Sequence, residues 1–410
     1  MPLPWRERVR QLGPGLVLAA AGIGAGDVVV ASVTGIRFGT TLLWAVVCTA
    51  ALKFVLTEAL ARWQLATGET VVRAWATRLP RWVAAGFAVY LVFWTFMVGA
   101  SLSSACGLAG ASLFPGLPVP VWGAIHAAVA ALLVAANRYA VFQKMMKALI
   151  ALMALCVLGC AVLAAPAWGD VLRGLFVPQV PANGGGAQVL ALLGGIGGSL
   201  TVICYGYWMR AAGWRGAEKL AEVRGDVRLA YVFTGLFGIS LVVIAAGVHA
   251  AAASGPRIAL EIADRLAGVG GPAARWIFLV GFWGTVFTAM LGVWQGVPQV
   301  FVDLITAWRG VPMGSAPAAE RRISLAALGF LAFPPLVLLW FKQPVAVVVA
   351  FSIVGAFFMP FLSVTLLYLN NRRAWVGALA NGWRGNVALA LCLAVFAVVC
   401  GSEVAAAWAR

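Results

Sequence analysis

The chain is 410 residues long, 63% hydrophobic and only 10% charged, with a mean hydropathy of +0.97. Soluble domains carry about 25% charged residues, so this composition excludes a water-soluble globule and describes an integral membrane protein. The net charge of +16 does not signal a nucleic-acid partner, because the basic residues lie between long apolar runs.

Those runs are helix-length, since a bilayer core takes about 20 helical residues. The short alternating segments of a membrane β-barrel are absent. The opening MPLPWRERVR ahead of LVLAAAG mimics a secretory leader. The apolar pattern runs on past any cleavage point, so it is read as a retained first helix. Eleven spans are predicted, at about 14–36, 41–64, 83–105, 118–136, 142–165, 188–210, 229–252, 274–300, 323–341, 345–369 and 386–405. The longest connections, near 166–187 and 253–273, hold Pro, Gly and a few charges and are read as loops. With the N-terminus inside, most basic residues, among them Arg62, Arg73, Arg78, Arg210, Arg224, Arg322 and Arg373, fall on the cytoplasmic side. Few, such as Arg37, Arg173 and Lys342, fall outside. This predicts an N-in, C-out topology, with the basic side facing anionic lipid.

Span 1 contains AGIGAGDVV (Ala21–Val29), in which Asp27 follows three glycines. An aspartate at the centre of a membrane helix costs about 2.5–3.5 kcal/mol on insertion scales, and each glycine weakens the helix by about 1 kcal/mol relative to Ala. A break is therefore predicted here. Asp27 is expected to cap the second half-helix through amides near Val29 and Val30, and also to contact a cation or substrate. Span 2 carries Lys53 deep in the run, with Glu58 and Arg62 at i, i+4 towards its cytoplasmic end. An intrahelical pair is the plainer reading of Glu58, and a proton relay the sharper one. Counting about 1.5 Å per residue from the turn between spans 1 and 2 puts Lys53 and Asp27 at similar depth. The Lys53 ammonium is therefore expected to approach Asp27 as a tethered cation.

His126 in span 4 and His249 at the end of span 7 are read as packing residues. The seven cysteines all lie in apolar runs without a CxxC and are read as buried small hydrophobes. Trp82 and Tyr368 fit interfacial belts. Span 6 contains GGIGGSLTV (Gly194–Val202), a second glycine-rich break. It lies five spans after the first and is therefore inverted relative to it, the pairing expected of secondary transporters built from inverted repeats. In span 8, Thr285 and Thr288 either bond back to their own helix or offer hydroxyls to a sodium-type site. No phosphate loop, HExxH motif or nucleophile elbow is present, and the chain is read as a non-enzyme without a cofactor.

These residues resemble the Nramp family (natural resistance-associated macrophage proteins, divalent-metal transporters). GPG (Gly13–Gly15) is similar to the family's opening, TGIRFGTTLLW (Thr34–Trp44) to its first hairpin, Leu42–Gly68 to its second span without a gap, and MPFLSV (Met359–Val364) to the end of its tenth span. The resemblance implies an all-α, leucine-transporter-type fold of 11 transmembrane helices with a 5+5 inverted repeat and broken helices 1 and 6. It implies one transmembrane domain over 1–410, with repeat one at 14–165, repeat two at 188–369 and an extra helix at 386–405. The chain departs from the family at the site. The family's DPGN is Gly24-Ala25-Gly26-Asp27, placing Gly24 where the family has its aspartate. Its MPH segment is replaced around Gly198–Cys204, with Thr201 in place of the methionine. A polar span-10 glutamine is Ser352, and the span-3 acid has no counterpart in Val83–Cys106. The implied substrate-binding set is Gly24, Asp27, Gly198, Thr201 and Ser352, with Asp27 as the metal ligand and Lys53 and Glu58 as coupling or site charges.

The expected function is secondary active transport across a prokaryotic cytoplasmic membrane. The cargo is nominally a divalent cation, coupled to a proton or sodium. Losing the thioether favours hard Mg²⁺ or Mn²⁺ over soft metals. An organic amine or amino-acid carrier of the same fold is the alternative, and a non-transporting membrane sensor the third reading.

Overall fold

A computed structural model describes residues 13–136, 139–164, 166–246, 248 and 258–408. The amino-terminal basic segment and His249 lie outside the described residues. The described chain is helical, and a helical segment covers each predicted span. Eight helices are long and apolar enough to cross a membrane, or up to ten when each of two bent pairs counts as one span. The apolar helix Val119–Ala135 is shorter. The architecture is all-α and of the leucine-transporter type.

Both loop predictions need correction. Residues 166–187 include the helix Trp168–Phe176. It packs under the first hairpin, where the Thr40 hydroxyl donates to the Asp170 carbonyl at 3.1 Å and the Trp44 indole to Gln179 at 3.1 Å. Residues 258–270 are helical as well, joined to span 8 across a kink at Gly271 just before Pro272. Ile258, Ala259, Ile262, Ala263 and Leu266 give that segment a buried face. Glu261 and Asp264 occupy the exposed face and Arg265 donates to the Ile244 carbonyl at 2.8 Å, so in sequence the segment resembles a polar loop.

Span 1 is two half-helices, Pro14–Gly22 and Ala31–Phe38, with a π-helical turn at Gly26–Val30. The two parts diverge by 51°. Span 6 is helical over Gly185–Gly195, extended at Ile196, and resumes as a 3₁₀ turn (Leu200–Ile203) running into Cys204–Ala211. Gly197 and Gly198 occupy left-handed backbone at φ +71° and +74°, which residues with a side chain rarely adopt.

The two broken spans touch and run antiparallel. Gly22 approaches Gly197, Gly26 approaches Gly195, and the Gln188 amide donates to Val30 O at 3.1 Å and Thr34 Oγ1 at 2.7 Å. As span 1 advances, its partner in span 6 retreats. Contact this close needs residues without side chains: a Cβ at Gly26 would lie 2.6 Å from Gly195 Cα, and one at Gly24 2.7 Å from Ala289 Cβ of span 8. Other spans tie in by single hydrogen bonds. Gln64 donates to Gly206 O at 2.6 Å, Trp94 to Ser199 Oγ at 2.8 Å, and Asn370 to Ala59 O at 2.9 Å.

This packing sets a stability contrast. Gly26→Val drives a side chain into rigid backbone and should cost about 1–3 kcal/mol, read as a lower thermal midpoint in detergent. Gly86→Ala, on an exposed helix face with open space around it, should be neutral or stabilising by up to about 1 kcal/mol. Equal midpoints for the two variants would contradict the close-packed crossing.

Candidate functional site

The break in span 1 strips the Gly24 amide of a helical partner, and the break in span 6 does the same for Gly197. One carboxylate serves both: Asp27 Oδ2 accepts from Gly24 N and Oδ1 from Gly197 N, each at 2.9 Å. The predicted cap on Val29 and Val30 is not formed. The helix has already restarted at Gly26 when it reaches Asp27, so the side chain turns back and across to the orphaned amides. Asp27 is fully buried.

The same break frees carbonyls on its other side. Lys53, also fully buried, extends from span 2 into them. Its ammonium donates to Gly194 O at 3.3 Å and to the nearer carbonyls of Ile196 and Gly198. Lys53 thus reaches the level of Asp27 without pairing with it: the two charges form no direct ion pair, and the peptides of Ile196–Gly198 lie between them. An ammonium has three N–H donors and no acceptor, and three carbonyls satisfy it. The carboxylate thus serves amides, and the ammonium carbonyls, of the same unwound turn.

The other predicted residues divide. Gly198 contributes a carbonyl, and Thr201, 3% exposed, lies beside it. Ser352 presses against Gly194 and Gly195 from span 10, while its hydroxyl donates to Val348 O at 3.0 Å within its own helix. Gly24 supplies an amide to Asp27 and closes span 1 onto span 8. Glu58 is not at the break. It bridges Arg62 at 3.3 Å and Arg224 at 2.8 Å, fastening span 2 to span 7. Thr285 and Thr288 both donate to carbonyls of their own helix, Gly281 and Gly284. His126 receives the Trp283 indole N–H at 2.9 Å while its other ring nitrogen contacts Trp122 O at 2.7 Å, linking spans 4 and 8. All seven cysteines are free. Among the described residues no group of three or more His, Cys, Asp or Glu is placed to hold a metal ion, so a cation at the break would meet one carboxylate plus backbone and hydroxyl oxygens.

Two further buried acids, Asp303 and Asp226, lie outside the set of site residues that the sequence suggests. Asp303, with no exposed surface, receives Thr70 and Tyr207 hydroxyls and Arg73 Nε at 3.3 Å; Arg73 also donates to Thr306 Oγ1 at 3.2 Å and Val311 O at 3.0 Å. This ring closes the helix Val71–Thr77, the second half of span 6 and the end of span 8 onto one another. It borders a cavity of about 360 Å³ lined by Arg73, Arg210 and Arg215. Asp226 in span 7, 2% exposed, accepts from Tyr205 OH at 2.9 Å, and its carboxyl lies against Gly15 of span 1. The available signal was an acid inside an apolar run, VFVDLIT for Asp303. It was lost because span 8 was ended at residue 300, whereas the helix continues to Trp308.

Known proteins agree with this architecture. The chain is 29% identical over 257 residues to the divalent metal cation transporter MntH of Brucella suis biovar 1, across 59% of this chain and 55% of that protein. It is 25% identical over 198 residues to the metal transporter Nramp6.2 of Populus trichocarpa, across 47% and 35%. The matched part thus spans about half the length of these relatives or less. A crystal structure of an Eremococcus coleocola manganese transporter mutant superposes with a TM-score of 0.79 at 15% identity, covering 98% of this chain and 87% of that one. MhsT in complex with L-phenylalanine superposes with a TM-score of 0.58 at 14% identity, covering 94% and 98%. At these identities the superpositions speak for the fold alone. The family model for natural resistance-associated macrophage protein-like sequences matches residues 15–406, and the chain belongs to that family.

Proposed function

We propose that the protein is a secondary active transporter of cations in a bacterial cytoplasmic membrane, with hard divalent ions such as Mg²⁺ and Mn²⁺ favoured over soft metals. The observation that carries this reading is the junction of the two broken spans, where the buried Asp27 carboxylate and the freed carbonyls of span 6 flank the same unwound turn. Half-helix ends and unwound carbonyls at mid-membrane are the usual means by which carriers bind ions between two gates. The donors around this junction are oxygens, from Asp27, Gly198 and the neighbouring Thr201. Oxygen donors select hard cations, and a thioether would select soft ones.

In this reading the repeats at about 14–165 and 188–369 move against each other, with the Asp303–Arg73–Tyr207 ring parting on the cytoplasmic side. The topology is N-in, C-out, as the basic residues suggest. A proton or sodium supplies the coupling. The back-bonded Thr285 and Thr288 hydroxyls weigh against a sodium ion between spans 1 and 8. A second reading, an organic amine or amino-acid carrier, has one observation in its favour: the carbonyls of the break already hold an alkylammonium, that of Lys53.

Uptake into proteoliposomes tests the choice. Mg²⁺ and Mn²⁺ flux should exceed Cd²⁺ flux, and Thr201→Met, which adds a thioether, should raise Cd²⁺ uptake relative to Mg²⁺. Cd²⁺ preferred by the wild type would overturn the selectivity, and flux of amines with no metal flux would select the second reading. Asp27→Ala should abolish cation uptake. It also leaves two buried amides unpaired, at about 1–3 kcal/mol each, so its thermal midpoint should fall below that of Asp27→Asn, which keeps an acceptor oxygen. Undiminished uptake by Asp27→Ala would remove Asp27 from the site.

A further inference from the structure

We propose that Lys53 is the resident occupant of the cation site: its ammonium is a tethered ion seated in the carbonyl cradle of span 6, and a diffusible cation binds there only by displacing it. The inference rests on the cation-carrier reading for its consequence, and on geometry for its substance.

Three features carry it. The first is saturation. Gly194, Ile196 and Gly198 have carbonyls that the unwound turn cannot satisfy internally, and all three accept from one Nζ. In the hydrocarbon interior such groups must find partners within the protein, and a bound cation is the only alternative to a donor at that place. The second is reach. Lys53 belongs to span 2, not to either broken span, and enters the break from outside with no exposed surface. A lysine with only a packing role at that depth would run its head towards the nearer membrane face. This one runs into the break. The third is charge. Asp27 faces the Gly197 amide on the other side of the same turn, so the turn lies between one negative and one positive group and the pair is neutral as it stands. A divalent ion added beside the ammonium would meet a like charge in a poorly screened interior. With the ammonium gone, the same ion would meet three free carbonyl oxygens, donors that suit a hard cation, with the Asp27 carboxylate across the turn to balance its charge.

Lys53 therefore acts on selectivity without reacting: it raises the concentration of divalent ion needed to occupy the site. It also restricts entry to ions that gain enough from Asp27 and the carbonyls to replace an ammonium. Its removal should reveal two properties that a purely structural lysine would not confer. The emptied cradle should accept an external cation of the same kind, and the site should bind divalent ions more tightly.

The test uses purified full-length protein in detergent. Lys53→Ala should lose thermal stability and regain it, saturably, with ammonium or methylammonium chloride, because a ligand that binds only the folded state stabilises it by mass action. The wild type, with its cradle filled, should not respond, nor should either protein respond to equal sodium chloride. Lys53→Met, which keeps the unbranched chain and drops the charge, should bind Mg²⁺ at least tenfold more tightly than wild type by calorimetry. Adding Asp27→Asn should cancel that gain. If Lys53→Met does not fold, Lys53→Ala gives the same Mg²⁺ contrast.

Ammonium rescue together with the Mg²⁺ gain supports the proposal. Ammonium rescue with no divalent binding or flux in any variant also supports Lys53 as the resident cation and overturns the divalent-cargo reading instead. Folded variants that answer to neither ammonium nor Mg²⁺ more than wild type does would overturn the proposal and leave Lys53 a packing residue.

Discussion

The fold turns on one constraint: a backbone opened inside a membrane must have its polar groups satisfied by the protein. Two helices are opened here, at Ile23–Ala25 and at Ile196–Ser199, and each frees amides and carbonyls in the buried interior. The protein resolves both with two charged side chains of opposite sign. Asp27 takes an amide from each break, so the carboxylate also fastens the two spans together. Lys53 takes the carbonyls, so span 2 is fastened to the same turn. Neither charge would be tolerated in hydrocarbon alone, and each finds its partners in the opened backbone.

Charges elsewhere follow a different logic. Glu58 with Arg62 and Arg224, and Asp303 with Arg73, Thr70 and Tyr207, are pairs and rings that join helices near the ends of the spans. Here the partners are side chains, each set links elements distant in sequence, and the cavity beside Arg73 connects the second set to its surroundings. Parting such a ring exchanges side-chain partners for water near the membrane face. Parting the Asp27–Lys53 junction would strand backbone groups.

Much of this was legible in the sequence, for physical reasons that also explain where reading failed. Hydrophobic runs report helices because burial in lipid needs length, and glycine clusters report breaks because a helix without side chains loses its preference and permits contact. Gly22, Gly26, Gly195 and Gly197 were readable in both respects. What a break does with its freed backbone was not readable, since no residue letter records an orphaned carbonyl. Lys53 was accordingly matched to Asp27, the visible charge, when its partners are main-chain oxygens. The cap expected of Asp27 failed for a similar reason: the restart of the helix, and not the residue type, decides which amides are in need. The segment 258–270 resembles a loop in sequence because its exposed acids and glycines stand out while its buried face is short. Asp303 was missed because the apolar run was closed a turn and more before the helix ends.

The same view bears on how far family membership speaks for chemistry. A carboxylate at the break of span 1 does structural service regardless of cargo, because the Gly24 and Gly197 amides need an acceptor whether or not an ion is present. Asp27 alone therefore argues for the fold more than for a metal. In the proposed reading, the burden of selectivity falls on groups that the fold could do without. Thr201 in place of a thioether, Ser352 with its hydroxyl turned to its own helix, and Lys53 in the carbonyl cradle are such groups: a break can be closed by other donors, and a helix needs none of the three to form. A scaffold that superposes on a manganese transporter at 15% identity can thus keep its two broken helices and their antiparallel crossing while the ion preference at their junction is set by a few side chains. Among those few, Lys53 alone carries a charge of the same sign as the proposed cargo.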